Sequence, residues 1–223
     1  MTTLVIGAHP DDEVLGVGGT IAKLAAAGEE VCVLIVTDGS STQYPGDRVK
    51  RAQKKGELEA CCRTLGVGAV VHGDLPDMQL DTVPHTKLND FIGDHVATWR
   101  PDTIYTHYPD INRDHVRLFE STLVVARPRP GAFVRRLLAY PTPSATEWDV
   151  PLLKRPFVAT CYVDIEAHLE TKIEALACYD TEVRPYPHPR SAEAIRAIAA
   201  GCGVKVGLRA AEEFMLLRDT AWA

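Results

Sequence analysis

The chain contains no run of roughly 18 apolar residues, so no membrane-spanning helix is expected. Positive charge is not in excess. Twenty-four Lys and Arg stand against 30 Asp and Glu, a net charge of −6, which argues against a nucleic-acid-coating surface but leaves room for a local basic pocket for a small anion. The six cysteines show no C-x-x-C and no zinc-ribbon spacing, so reduced, mostly buried thiols are expected. The N-terminus, MTTLVIGAHPDDE, has neither a basic segment nor a long apolar core. It does not read as a signal peptide, and the cytoplasm is the expected location. Repeats and low-complexity segments are absent. Aromatic residues are only 7% of the chain, and Trp99, Trp148 and Trp222 are too scattered to suggest a stacking platform.

What is present is ordinary globular material, 46% hydrophobic and 24% charged, in 223 residues. That length predicts one domain over residues 1–223, large enough for a core without disulfide staples. Thr3–Ala8 and Val31–Thr37 are short, β-branched apolar runs and read as strands buried on both faces. Ala69–His72 and Thr103–His107 read as third and fourth strands. Helices are expected at Val14–Ala27, Val49–Leu65, Leu88–Thr98 and His115–Ala126, the first two stopped by Gly28 and Gly66. Gly16, Gly18 and Gly19 weaken the first helix by about 1 kcal/mol each relative to Ala, a cost that points to close packing against its backbone. Alternating strands and helices imply an α/β fold, a Rossmann-like three-layer sandwich with a mostly parallel central sheet. The second half is less regular. Phe133–Tyr140 and Phe157–Asp164 read as strands, Ala167–Tyr179 and Ser191–Ala200 as helices. Pro141–Pro156 and Tyr179–Arg190 read as loops.

In such a sheet, ligands gather beyond the C-terminal ends of the strands. Four polar segments fall there: His9–Glu13, Thr37–Ser41, Gly73–Asp77 and His107–His115. The first puts an imidazole and three carboxylates into five residues, more than capping of the next helix requires. A divalent cation would offset the repulsion among them. His9 and Asp12 can reach one ion from a tight turn, which leaves Asp11 beside it as a base. His115 supplies a third ligand, and two imidazoles with one carboxylate make a hydrolytic zinc site. The same nitrogen and oxygen donors also accept Fe²⁺.

The AHPDDE motif after a first strand, the Gly-rich helix, and the later Asp114-His115 opening another helix resemble the PIG-L/LmbE family. Lys54-x-x-Glu57 before Leu65-Gly66-Val67, Asp74-Leu-Pro-Asp77, and Lys172-x-x-Ala175-x-x-x-Tyr179 add support. The resemblance implies a metal-dependent de-N-acetylase acting on N-acetylated amino sugars or their conjugates, and family members often self-associate. It implies that His9, Asp12 and His115 bind the metal and that Asp11 is the general base. The family's second motif is H-P-D-H, whose first His polarises the amide carbonyl and whose Asp orients that His. Here the segment is Asn112-Arg113-Asp114-His115, so Asp114 and His115 are retained and Asn112 replaces the oxyanion His. His107, Asn112 and His188 are the candidates for that role, with His107 favoured for its place at the strand end.

For the substrate, Lys54 stands where the family carries a binding Arg, and it loses the bidentate fork. Arg48, Arg51, Lys54 and Lys55 together suggest a basic rim suited to a phosphorylated or nucleotide-linked sugar. Asp77 is a candidate for sugar hydroxyls, and Arg184, His188 and Arg190 for the pocket border. The expected partner is thus a small N-acetyl sugar, with neither nucleic acid nor membrane. An amidase acting on a thiol–sugar conjugate and a catalytically silent metal-binding scaffold are the alternatives. A nucleotide-binding module is disfavoured, because Gly16-Val17-Gly18-Gly19 does not match G-x-G-x-x-G.

Overall fold

The computed structural model describes residues 1–150 and 156–220. Seven strands form one sheet in the order β3-β2-β1-β4-β5-β7-β6. They are β1 (Thr2–Gly7), β2 (Glu30–Thr37), β3 (Ala69–Leu75), β4 (Thr103–His107), β5 (Arg136–Tyr140), β6 (Cys161–Asp164) and β7 (Ala211–Asp219). β1 to β5 run parallel, and β7 runs antiparallel to both β5 and β6. The α-helices are α1 (Asp12–Ala26), α2 (Arg48–Leu65), α3 (His85–Trp99), α4 (Arg113–Val125), α5 (Leu169–Leu176) and α6 (Ala192–Val204).

The apolar runs of β1 and β2 are continuous because both of their faces are covered. Val5, Val33 and Ile35 pack beneath α1, α2, α5 and α6, whereas Leu4, Ile6, Cys32 and Leu34 pack against α3 and α4. The result is the expected α/β sandwich. The glycines of α1 admit other side chains to its backbone. A Cβ on Gly16 would sit 2.2 Å from the Tyr140 ring, and one on Gly19 would sit 2.7 Å from Ile165.

Several boundaries differ from the sequence reading. β3 continues through Gly73 and Asp74 to Leu75, so the polar segment after it starts later. A Cβ on Gly73 would lie 2.3 Å from the Val36 carbonyl oxygen, and this close approach lets the strand pass the register shift on β2. β5 and β6 are shorter than expected, starting at Arg136 and Cys161. The expected helix at Ala167–Tyr179 is a 3-10 turn, Glu166–His168, followed by α5. β7 was not legible at all. Its residues, AEEFMLLRD, favour helix, and pairing with β5 and β6 overrides that preference. Among the described residues, no helix is long and apolar enough to cross a membrane. All six cysteines are free thiols.

Candidate active site

The site lies where β1 and β4, neighbours in the sheet, both end. After β1 the chain turns through Ala8 to Asp11 and enters α1 at Asp12. Thr37 on β2 holds the Ala8 carbonyl through its backbone N–H (3.1 Å) and its hydroxyl (2.7 Å). The His9 N–H donates to Asp12 Oδ2 at 2.7 Å, which closes the turn. Asp11, at the N-cap, has φ 120°, outside the usual range of an L-residue. Its N–H donates to Glu13 Oε2 at 3.2 Å. After β4, Asn112 caps α4 by accepting the Asp114 N–H at 2.9 Å, which presents His115 in the first turn.

His9, Asp12 and His115 each offer a ligand atom within 4.8 Å of the others. His115 Nδ1 is fixed by Asp110 Oδ1 at 2.9 Å. Its Nε2 is buried without a hydrogen-bond partner and lies 3.6 Å from Asp12 Oδ1. An orphaned imidazole nitrogen aimed at a carboxylate oxygen, with its other nitrogen held by an acid, is the arrangement of a carboxylate–histidine–metal ligand set. The donors therefore suit a divalent cation. On the opposite side, His9 Nδ1 is 3.3 Å from Asp12 Oδ2, and Nε2 is 3.2 Å from Asp114 Oδ2 and 3.6 Å from Asp77 Oδ1. Burial works against a charged His9, yet its hydrogen bonds to Asp114 and Asp12 hold its pKa well above the ordinary histidine value. Asp12 is the reverse. Burial opposes its charge, but His107 and His115 keep it well below the carboxylate range.

His107 is fully buried against Asp12. Its Nε2 lies 3.0 Å from Asp12 Oδ2 and 3.1 Å from the Ala8 nitrogen, and its Nδ1 lies 3.0 Å from Thr142 Oγ1. Its ring stacks on that of His115 at 3.7 Å. Burial and the neighbouring His115 lower its pKa to about 4. Asn112 is occupied as a cap, with its Nδ2 3.5 Å from Met78 Sδ. Asp114 accepts the Leu80 N–H at 2.9 Å on Oδ1 and meets His9 Nε2 with Oδ2.

Lys54 is not on a basic rim. It is buried and paired with Glu182, whereas Arg48, Arg51 and Lys55 are exposed on other sides of α2. The helical period turns Lys54 and Glu57 toward the Tyr179–Arg190 loop, where Glu57 accepts the Thr181 hydroxyl at 2.6 Å. Asp77 is buried and faces His9. Arg190 reaches the site through a guanidinium Nη1 2.9 Å from Asp11 Oδ2. His188 does not. It packs edge-on against Trp148, at 5.7 Å between centroids, while Trp99 rests on His95 and Trp222 lies outside the described residues.

The sequence reading missed Asp110, although Asp110 sits inside a segment it singled out. An acid five residues before a candidate ligand His on a helix-entry turn is the available signal. Tyr179, quoted only as part of a supporting motif, and Glu182 were also missed as site residues, and Glu182 offered no signal. A cavity of ≈640 Å³ lies behind the loop at Pro141–Asp149, lined by Tyr108, Phe157, Ile195 and Ile198 among others. None of His9, Asp12 and His115 lines it.

Residues 4–126 match the GlcNAc-PI de-N-acetylase family, PIG-L. The chain belongs to this family. It is 30% identical over 151 residues to the uncharacterized deacetylase YaiS of Escherichia coli K12, covering 63% of this chain and 74% of that one. It is 27% identical to 1D-myo-inositol 2-acetamido-2-deoxy-alpha-D-glucopyranoside deacetylase 1 of Saccharopolyspora erythraea, covering 81% of this chain and 77% of the relative. Solved structures share the fold. The N,N'-diacetylchitobiose deacetylase of Pyrococcus horikoshii superposes with a TM-score of 0.75 at 24% identity, covering 97% of this chain and 84% of its own. GalB, a 4-carboxy-2-hydroxymuconate hydratase of Pseudomonas putida KT2440, gives 0.78 at 19%, covering 100% and 98%. One fold thus carries two reactions, and the site has to distinguish them.

Proposed function

We propose that this PIG-L family member is a metal-dependent hydrolase, acting as one domain over residues 1–223, that removes the acetyl group from an N-acetylated amino sugar or its conjugate. The observation that carries the reading is the state of Asp11. Its Oδ2 is buried beside the His9–Asp12–His115 donors and has no hydrogen-bond donor of its own, although Arg190 lies 2.9 Å away. A carboxylate with a free lone pair next to a cation site is equipped to accept a proton from water. Burial raises its pKa well above the usual carboxylate value, against the pull of Arg190.

His9, Asp12 and His115 would hold the cation, with zinc the first choice and Fe²⁺ the alternative. A divalent cation there supplies Lewis acidity for the amide oxygen and makes water more acidic. Asp110 and Asp114 keep the two imidazoles in place. Asp11 takes the proton of the attacking water as the C–O bond forms. It then delivers that proton to the leaving nitrogen as the C–N bond breaks, giving acetate and a free amine. His107, in contact with Asp12 Oδ2, would help to position that ligand.

The test is acetate release from free, nucleotide-linked and thiol-conjugated N-acetyl sugars, with and without chelator. Chelator-sensitive release, lost by about 10²–10⁴-fold in Asp11→Asn with metal still bound, supports the reading. Undiminished turnover in Asp11→Asn would sink it. The thiol-conjugate arm identifies the amidase alternative, and silence across the panel with metal bound identifies a scaffold.

A further inference from the structure

Asp11 is held weakly by its own surroundings. Its backbone sits at φ 120°, and its side chain makes no capping hydrogen bond to α1. The cation against its carboxylate comes from the other end of the chain. We infer that Arg190 is a positioning residue for Asp11, fixed in turn by Glu182 and Lys54, and not a substrate contact. This rests on the reading of Asp11 as the base.

The geometry of the guanidinium carries the argument. Arg190 Nη1 donates to Glu182 Oε2 at 2.7 Å, and Nε donates to Ser144 Oγ at 2.9 Å. The plane of the group is therefore set by two bonds on two different loops. Nη1 also lies 2.9 Å from Asp11 Oδ2, yet that oxygen receives no aligned hydrogen. Arg190 thus attracts the carboxylate without occupying the lone pair that must take a proton. A lysine cannot reproduce this, because an ammonium lacks the fork that engages Ser144, Glu182 and Asp11 together.

Glu182 explains why the charge remains available. It is buried between two cations, with Oε1 paired to Lys54 and Oε2 to Arg190. One carboxylate cannot neutralise both, so positive charge is left facing Asp11. Glu57 anchors the same loop through Thr181, on both its N–H and its hydroxyl. The Lys54-x-x-Glu57 pair of α2 therefore acts through Glu182 and Thr181 on the segment that aims Arg190.

The experiment compares wild type, Arg190→Ala and Arg190→Lys, each loaded with metal, on the substrate found in the acetate-release panel. Displacement of a reacting group by about 1 Å can cost about 10²-fold. Arg190→Ala should lower kcat by about that factor, leave KM within about threefold, and retain its metal. Methylguanidinium added to Arg190→Ala should restore part of kcat, and Arg190→Lys should recover little. A kcat within about twofold of wild type overturns the proposal, and so does a loss confined to KM. A loss without guanidinium rescue, accompanied by a lower Tm or lost metal, also overturns it in favour of a purely structural role. Crystal structures of Arg190→Ala, with and without methylguanidinium, decide the matter independently of turnover. The Asp11 carboxylate should leave its place and return. A carboxylate that never moves refutes the positioning role even if wild type proves inactive on every sugar, which would count against the proposed function alone.

Discussion

The Tyr179 hydroxyl donates a 2.6 Å hydrogen bond to Glu13 Oε1 across 166 residues of sequence. Both side chains are fully buried. Glu13 Oε2 in turn accepts the Asp11 N–H, so the turn that follows α5 is tied to the backbone of the proposed base. Tyr179→Phe removes the donor and leaves Cys61 Sγ, at 3.3 Å, as the remaining partner of Oε1. We expect a loss of about 1–3 kcal/mol in urea unfolding.

Asp110 fixes the His115 ring through Nδ1 while accepting the Asn112 N–H and the Thr146 hydroxyl. Asp110→Asn should weaken metal affinity by about 10–100-fold, read by competition with a chromogenic chelator. An unchanged affinity would show that His115 needs no partner.

Lys172 and Glu212 form a buried pair against the middle of α1. Lys172 Nζ meets Glu212 Oε1 at 2.6 Å and the Leu15 carbonyl at 2.9 Å, and Glu212 accepts the N–H groups of Gly19 and Thr20. Lys172→Met leaves the buried Glu212 carboxylate without its cation and should cost about 3–5 kcal/mol by chemical denaturation. The double variant Lys172→Met, Glu212→Gln should lose less than the sum of the two single changes.

Two glycines should respond with opposite signs to replacement by alanine. Gly16→Ala places its Cβ against Tyr140 and should destabilise by about 1–3 kcal/mol. Gly56 lies inside α2 with open space around it, so Gly56→Ala should stabilise by about 0.5–1 kcal/mol. Thermal melts of the two variants check both signs.

Thiol reactivity follows burial. Burial raises the pKa of Cys32 and Cys202 to about 11, and raises those of Cys61 and Cys62 as well. A raised pKa leaves little thiolate at pH 8, and thiolate is the reacting form. Iodoacetamide on the folded protein should therefore label the half-buried Cys161 and Cys178 first, as read by peptide mass spectrometry.

The sequence by itself determined what local pattern can encode. The doubly buried runs of β1 and β2, the glycine-gapped α1, and the dense His9–Glu13 and His107–His115 turns are written in consecutive residues. So the α/β class and the His9, Asp12, His115 cluster were legible before any coordinates. The tertiary structure alone decided what depends on contacts between distant segments. It turned AEEFMLLRD into β7 by pairing it with two strands, and it placed His107 against Asp12. It drew Lys54 inward to Glu182, and it brought Arg190 and Tyr179 to the first turn of α1. Charge and hydrogen bonding act over a few ångströms of space, however far apart two residues stand in the chain. Which cation meets which carboxylate is therefore settled by packing, after local preferences have shaped the elements.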